Sequence, residues 1–138
     1  MNLAAGLFAV LKGNATVAGI VANSGSPITY RIFPSRIPQG ENRPAIRYDL
    51  VSTVRSQGLD GPTAYATSRF QIDCWHTTEA GLRTLTDAVV AAIDGTRGAW
   101  GAATIQHAYL EDVGSLPEFD DDEKTYRSTM DLIILASD

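Results

Sequence analysis

Disulfide bonds and membrane spans are the first features that this sequence lacks. Cys74 is the only cysteine, so no disulfide can form within the chain. No apolar run reaches the roughly 20 residues that a membrane-spanning helix needs, and the N-terminal residues lack the basic start of a secretory signal peptide. Hydrophobic residues nevertheless make up 44% of the chain. We therefore expect a domain that folds around its own core, without a membrane partner, in a reducing compartment or without a redox role.

Positive charge is also scarce, because 16 acidic residues outweigh 11 basic ones and leave a net charge of −5. An acidic chain is a poor ligand for DNA phosphates, so we expect little non-specific binding of DNA. The charge is uneven: residues 1–60 carry six basic and three acidic side chains, whereas residues 61–138 carry five and thirteen. Two interpretations remain open. The charges either keep the surface soluble or let identical copies pack head to tail into a ring.

Two adjoining patterns in the middle of the sequence predict a long strand followed by a helix. Residues 64–76 alternate, with Phe70, Ile72 and Cys74 on the same side, which is the period of a strand with one polar face. The segment at about 78–94 repeats apolar residues at helical spacing. Thr77 or Thr78 is expected to cap this helix, and Gly95 to end it in a left-handed conformation.

The remaining patterns complete an α+β fold. Helices are predicted at 3–12 and 15–22, with Asn14 as the second N-cap, and further strands at 28–33, 45–54, 103–113 and 126–136. This order predicts an antiparallel or mixed sheet of about five strands, with the N-terminal helices and the main helix packed on one face. Residues 1–138 are expected to form one domain. The buried face of strand 103–113 is left undecided.

Three connections between these elements are predicted to be irregular. The stretch 34–44 is broken by three prolines, which places it outside the sheet or at its edge. The stretch 56–62 is rich in turn formers and too long for a tight turn, so it is expected to project. The third, 114–123, is an acidic loop. A shorter turn is expected where Gly98 and Gly101 flank Trp100.

The sequence offers little that predicts catalysis. Cys74 and His76 lie two residues apart on a strand, and a thiol beside an imidazole is a possible nucleophile and base. However, Cys74 shares the apolar side of the strand, and no residue is evidently placed to orient His76. The glycines form no phosphate-binding pattern. The acidic run lacks the spacing of an EF-hand, and His76 and His107 are too isolated for zinc, so we expect no metal and no cofactor.

Arginines supply the only basic cluster. Five of them lie between residues 31 and 55, and Arg47 and Arg55 are predicted to point outward from one strand. In an acidic protein, carboxylates of a partner are a better target for these guanidinium groups than phosphates are.

Several blocks, taken in order from about Leu3 to Ala136, resemble a phage protein family. After the helical start come Arg31-Ile-Phe-Pro-Ser-Arg-Ile-Pro-Gln-Gly, Arg43-Pro-Ala-Ile-Arg-Tyr, Leu59-Asp-Gly-Pro, Arg69-Phe-Gln-Ile-Asp-Cys-Trp and a helix from Ala80 to Asp94 that ends in Gly95-Thr-Arg-Gly. The family is that of the tail-completion or tail-terminator proteins of long-tailed phages and related prophage elements. The resemblance lies in the order and spacing of the blocks.

The resemblance implies a structural protein of the virion rather than an enzyme. Members of this family have an α+β fold and form a hexameric ring that caps the tail tube at its head-proximal end and helps to join tail and head. The implied partners are other copies of the chain, the tail-tube protein and the head-completion or connector protein, while DNA passes through without specific binding. The implied location is the neck of the virion, with assembly in the host cytoplasm.

Two groups of residues are candidates for these contacts. The interface with a neighbouring subunit or the tube is expected at Arg36, Arg43, Arg47, Arg55, Leu59 and Asp60. The lumen or neck is expected to meet the acidic residues Glu118, Asp120, Asp121, Asp122 and Glu123. The alternatives are another neck protein, such as a head-closure or adaptor subunit, a small thiol hydrolase that uses Cys74 and His76, and a dimeric ligand-binding domain.

Overall fold

The structure is a computed structural model that describes residues 2–114, 118–121 and 124–137, apart from the side chains of Glu118 and Asp120. Within these ranges the helices are α1 (Leu3–Gly13), α2 (Ala15–Val21) and α3 (Glu79–Ile93). The strands are β1 (Ile32–Pro34), β2 (Ala45–Gly58), β3 (Gly61–His76), β4 (Thr96–Trp100), β5 (Ala103–Val113), β6 (Glu118–Asp120) and β7 (Thr125–Ser137). The α+β class predicted from the sequence is confirmed.

The strands form one mixed sheet in the order β1-β2-β3-β7-β5-β4. β1 runs parallel to β2, and the other neighbours are antiparallel. β3 pairs with one edge of β7 along its length. On the other edge of β7, β6 pairs with the first residues and β5 pairs with the later ones. The prediction of about five strands is wrong in number. The missed strands β4 and β6 have five and three residues, which is too short for a period of two to stand out.

The helices begin and end at recognisable capping residues. The side chain of Asn2 accepts a hydrogen bond from the amide of Ala5, and Asn14 accepts two from Thr16 and Val17 at the start of α2. Thr78 caps α3 by accepting from the amide of Gly81. Gly95 follows α3 with φ of 72°, the left-handed conformation expected from its position.

The helices α1 and α3 pack against one face of the sheet, and α2 packs on these two helices, so that the core lies on that side. The helices contribute Leu7, Leu11, Leu82, Leu85, Val89 and Ile93 to this core. The sheet contributes Ile46, Phe70, Ile72, Cys74, Met130, Leu132 and Ile134. The predicted apolar side of β3, with Phe70, Ile72 and Cys74, therefore faces the core. Gly6 brings α1 close to β4, since a Cβ at this position would lie 2.6 Å from the carbonyl oxygen of Trp100.

Register shifts decide which side chains of β5 are buried. The strand pairs with β7 through Ile105, His107 and Ala108, so Gln106 is an extra residue that shifts the alternation. Ile105 lies on the core face before the shift and Ala108 after it. A second shift lies between Leu110 and Asp112. No single alternation describes this strand, which explains why the sequence left its buried face open.

Two other boundaries differ from prediction. The strand expected at 28–33 is β1, which begins only at Ile32, because Tyr30 makes an isolated bridge to Ala22 instead. Trp100 ends β4 rather than lying in a turn, and its side chain is buried. None of the described helices is by itself long and apolar enough to cross a membrane. Only α1 and α2 taken together reach the necessary length and hydropathy, and these two helices are bent by 89° relative to each other.

Candidate functional site

The strands β2 and β3 extend beyond the rest of the sheet as a two-stranded ribbon. β1 pairs with β2 only as far as Tyr48, and β7 pairs with β3 only from Tyr65 onward. Within the part of the chain that the structure describes, residues 50–65, here called the arm, therefore have no further neighbouring strand over most of their length. The two strands meet at Leu59 and Asp60 in a two-residue turn, between paired Gly58 and Gly61. The projecting loop predicted for 56–62 is thus wrong in form, because its residues continue the ladder almost to the tip.

The arm exposes more apolar surface than a solvated ribbon requires. Leu59 at its tip is 108% exposed and Val54 is 66% exposed, and more than half of Leu50 and Val51 is also open to solvent. Leu50 lies opposite Phe70 on the helix side and Val54 lies opposite Thr67 on the other side, so both sides of the arm expose apolar surface. Exposed apolar surface on a projecting element indicates an interaction site in soluble proteins. Leu59 and Asp60, both predicted to be interface residues, thus lie at the end of a projecting apolar element.

A β-bulge at Val51 separates two arginines that were predicted to lie on one face. The register runs from Leu50 opposite Phe70 to Ser52 opposite Arg69, so Val51 is an extra residue. Arg47 precedes the bulge and faces away from the helices, whereas Arg55 follows it and lies opposite Ala66 on the helix side. The shared outward orientation predicted for Arg47 and Arg55 is therefore wrong, and the same bulge moves Thr53 to the helix side.

Arg47 is occupied within the chain. It forms an ion pair with the carboxylate of Asp73, which is 0% exposed, and lies 3.5 Å from that of Asp49. Its guanidinium carbon also lies 5.5 Å from the ring centroid of Trp75. The guanidinium groups of Arg43 and Arg127 each lie 5.9 Å from the same ring. Trp75 is thus surrounded by three guanidinium groups, and for Arg47 the cation–π attraction adds to its ion pair with the buried carboxylate.

The proline-rich stretch 34–44, here called the connector, lies beside the arginines that surround Trp75. Its residues line an open groove of about 460 Å³ that contains Arg36, Arg43 and Thr125. Arg36 is exposed, whereas Arg31 is 8% exposed and donates hydrogen bonds to the carbonyl oxygen of Pro44 and the side chain of Asn23. Arg31 therefore ties the connector to the end of α2, and the basic cluster seen in the sequence divides into structural and exposed members.

The acidic stretch is not a continuous loop. Glu118 and Asp120 belong to β6, whose backbone pairs with Arg127 and Thr125 of β7, so the predicted loop over 114–123 is wrong at these positions. Asp121 follows β6 in a turn and is exposed. Asp122 and Glu123 lie outside the described residues. The sequence signal failed here because a run of charges masks a three-residue strand.

Cys74 and His76 do not form a reactive pair. Cys74 is 0% exposed in the core, and burial together with the neighbouring Asp73 raises the pKa of its thiol to about 12. His76 instead accepts a hydrogen bond at Nδ1 from the amide of Thr78, and partial burial lowers the pKa of its imidazole. A thiol held protonated and away from solvent is inert as a nucleophile. No group of three metal-ligating side chains occurs among the residues that the structure describes.

The sheet face opposite the helices, here called the helix-free face, holds functional candidates that the sequence reasoning missed. Thr67, Leu135 and His107 form one row across β3, β7 and β5, and Arg69, Ile133 and Tyr109 form the next. Tyr109 is 40% exposed and Leu135 is 37% exposed, and the rings of His107 and Tyr109 stack at 5.3 Å. The sequence contains one sign of this surface: Leu135 is an apolar residue on the otherwise polar side of the alternating strand β7.

Carboxylates lie next to this apolar area. The guanidinium of Arg69 contacts Glu111 at 2.7 Å and Asp131 at 3.7 Å. Asp112 stands directly opposite Asp131 in the ladder and has no ion pair with a residue that the structure describes. Like charges opposite each other across a sheet are unfavourable. The helix-free face therefore carries an apolar area beside a surplus of negative charge.

Comparison with known proteins decides the family. The model of the family described as "Tail completion protein gp17" matches residues 5–137. The chain belongs to this family of phage tail-completion proteins. The family predicted from the sequence is thereby confirmed, and with it a structural role in the phage tail. A search of the curated proteins found no match.

The fold of this family member also occurs in a solved particle. A chain from a structure described as the virion of a native gene transfer agent (GTA) particle superposes with a TM-score of 0.67. The match covers 96% of this chain and 92% of that chain, at 12% sequence identity. At this identity the likeness shows a shared fold.

Proposed function

We propose that the chain terminates the phage tail by capping the tail tube at its head-proximal end as a ring of identical copies, most simply a hexamer. The observation that carries the proposal is the family match, which spans residues 5–137. The likeness to a chain of a gene transfer agent virion is consistent with service in a tailed particle. The ring would bind the tube on one side and the head-completion protein on the other, after assembly in the host cytoplasm.

Two surfaces would serve these contacts. The arm, with Arg55, Leu59 and Asp60, would contact neighbouring subunits, and the connector with Arg36 and Arg43 would contact a subunit or the tube. Arg47 would act indirectly, because its ion pair with Asp73 holds the first residues of β2 against β3. The acidic segment 118–123 would face the lumen or the neck, where its negative charge would keep passing DNA from adhering.

The test is deletion of the gene from the phage or prophage that carries it, followed by negative-stain microscopy of the particles. Loss of a cap is expected to give tubes of irregular, excessive length that fail to join heads, and a plasmid copy of the gene should restore both length and joining. Tubes of normal length beside unjoined heads would contradict capping and would indicate a head-closure or adaptor protein instead.

The same strain tests the acidic segment. A plasmid copy with Asp120, Asp121 and Asp122 changed to Asn is expected to restore tail length and joining but to lower DNA delivery, because the channel would lose negative charge. Normal DNA delivery by these particles would contradict the proposal that the acidic segment lines the lumen. The unmodified plasmid copy is the matched control.

A further inference from the structure

The arm is an element whose partner lies outside its own chain. The edge of β2 from Leu50 to Gly58 has no neighbouring strand among the described residues, and exposed edges of this kind pair readily with other chains. The exposed apolar side chains of Val54 and Leu59 add surface that water solvates poorly. Arg55 is exposed and forms no ion pair with any residue that the structure describes.

The helix-free face offers the matching features. The half-exposed side chains of Tyr109 and Leu135 form its apolar area. Beside them, Glu111 and Asp131 contact the guanidinium of Arg69, and Asp112 stands opposite Asp131 without an ion pair to a described residue. The face is therefore apolar and negatively charged, and the arm offers the apolar side chain of Leu59 and the exposed guanidinium of Arg55, with Asp60 as its one carboxylate. Complementarity between Arg55 and the carboxylates of the face steers association and sets register.

From these features we infer that the tip of the arm of one copy lies on the helix-free face of a second copy, with Leu59 on Tyr109 and Leu135 and with Arg55 next to Asp112 and Asp131. The inference rests on the proposed self-assembly and identifies the surfaces that carry it. A second copy is the occupant that the charges favour, because Arg55 and Asp112 each lack an ion pair with a described residue of their own chain. The two surfaces differ, so the contact is heterologous and each copy can both donate an arm and accept one.

Cross-linking between two purified variants tests the contact directly. One preparation carries Leu59→Cys and the other Tyr109→Cys, and a short bis-maleimide is added to their mixture. The native Cys74 is buried, so it does not compete. We expect a cross-linked dimer from the mixture. The matched control replaces Tyr109→Cys by Ala91→Cys, at an exposed position on α3, on the opposite side of the sheet, and should give no dimer.

Charge exchange tests the role of Arg55. Arg55→Glu is expected to weaken self-association at least about tenfold, because it places like charges together. Asp112→Arg should do the same, and the two changes in one chain should restore most of the association. Arg97→Glu is the matched control, since Arg97 is an exposed arginine on β4 without an ion pair among the described residues, and it should leave association unchanged.

Failure of the inference is separable from failure of the proposed function. Absence of the Leu59–Tyr109 cross-link at the highest soluble concentration, or cross-linking equal to that of the Ala91 control, overturns the arm-on-face contact. Cross-linking of Leu59→Cys to a different protein in purified tails overturns it as well. In either case, tubes of irregular length in the deletion strain would still support capping, through another interface.

Discussion

At the scale of single residues, the best-supported feature is the Arg47–Asp73 pair beneath Trp75. The alternation of β3 places Asp73 on the polar side of the strand, so the sequence predicts a solvated carboxylate. The register decides otherwise, because Arg47 stands directly opposite Asp73 and pairs with its carboxylate, while Gln71 donates a hydrogen bond to the same carboxylate. Which residues face each other across two strands depends on their pairing, and a single sequence does not contain that information. The buried state of Cys74, by contrast, follows from its apolar neighbours and was predictable.

Replacement of Arg47 by Met is expected to destabilise the protein. The change leaves the carboxylate of Asp73, which is 0% exposed, without its cation, and breaking such a pair costs about 2 to 3 kcal/mol in the free energy of unfolding. Urea unfolding followed by circular dichroism measures the effect. Arg97→Met is the control and should stay within about 0.5 kcal/mol of the wild type. Equal stability of both variants would show that Asp73 needs no counter-ion.

At the scale of elements, β2 shows where prediction from sequence ends. Its first residues alternate regularly, and the predicted start at Ala45 is correct. Val51 is an extra residue, so the side chains after it point to the opposite side of the sheet from the one that the alternation predicts. The ribbon then extends beyond the core, and its residues no longer alternate between apolar and polar. The stretch from Ser56 to Pro62 consequently looks like a loop in the sequence. The arm, which carries the proposed contact, is thus the part of the fold that the sequence described least well.

Shortening the arm should separate folding from assembly. Deletion of residues 57–62 removes the tip and joins Ser56 to Thr63, while the sheet below keeps its partners β1 and β7. The removed residues contribute no side chain to the core, so the thermal midpoint is expected to stay within a few degrees of the wild-type value. Sedimentation velocity should show loss of self-association. A variant that assembles normally would contradict the role of the arm, and an unfolded variant would show that the tip stabilises the sheet.

At the scale of the whole molecule, the distribution of surfaces is asymmetric. The helices cover one side of the sheet, the arm projects beyond one end of it, and the surplus of carboxylates lies on the helix-free face. The sequence showed this asymmetry only as an excess of basic residues before position 60 and of acidic residues after it. Folding brings the basic and acidic parts together as interleaved strands, so sequence halves do not map onto two faces. The asymmetry that remains lies between Arg55 on the arm and the carboxylates near Asp112.

A heterologous contact makes a prediction that a symmetric dimer does not. A copy that lacks residues 57–62 has a defective arm but an intact helix-free face, and an Asp112→Arg copy has the reverse. Mixed together, they retain one intact pair of surfaces, so the arm of the second binds the face of the first and growth stops there. Sedimentation velocity of the mixture should therefore show dimers and no larger species, whereas each variant alone stays monomeric and the wild type proceeds to larger assemblies. Rings or longer oligomers from the mixture would show that copies meet through surfaces other than the arm and the helix-free face.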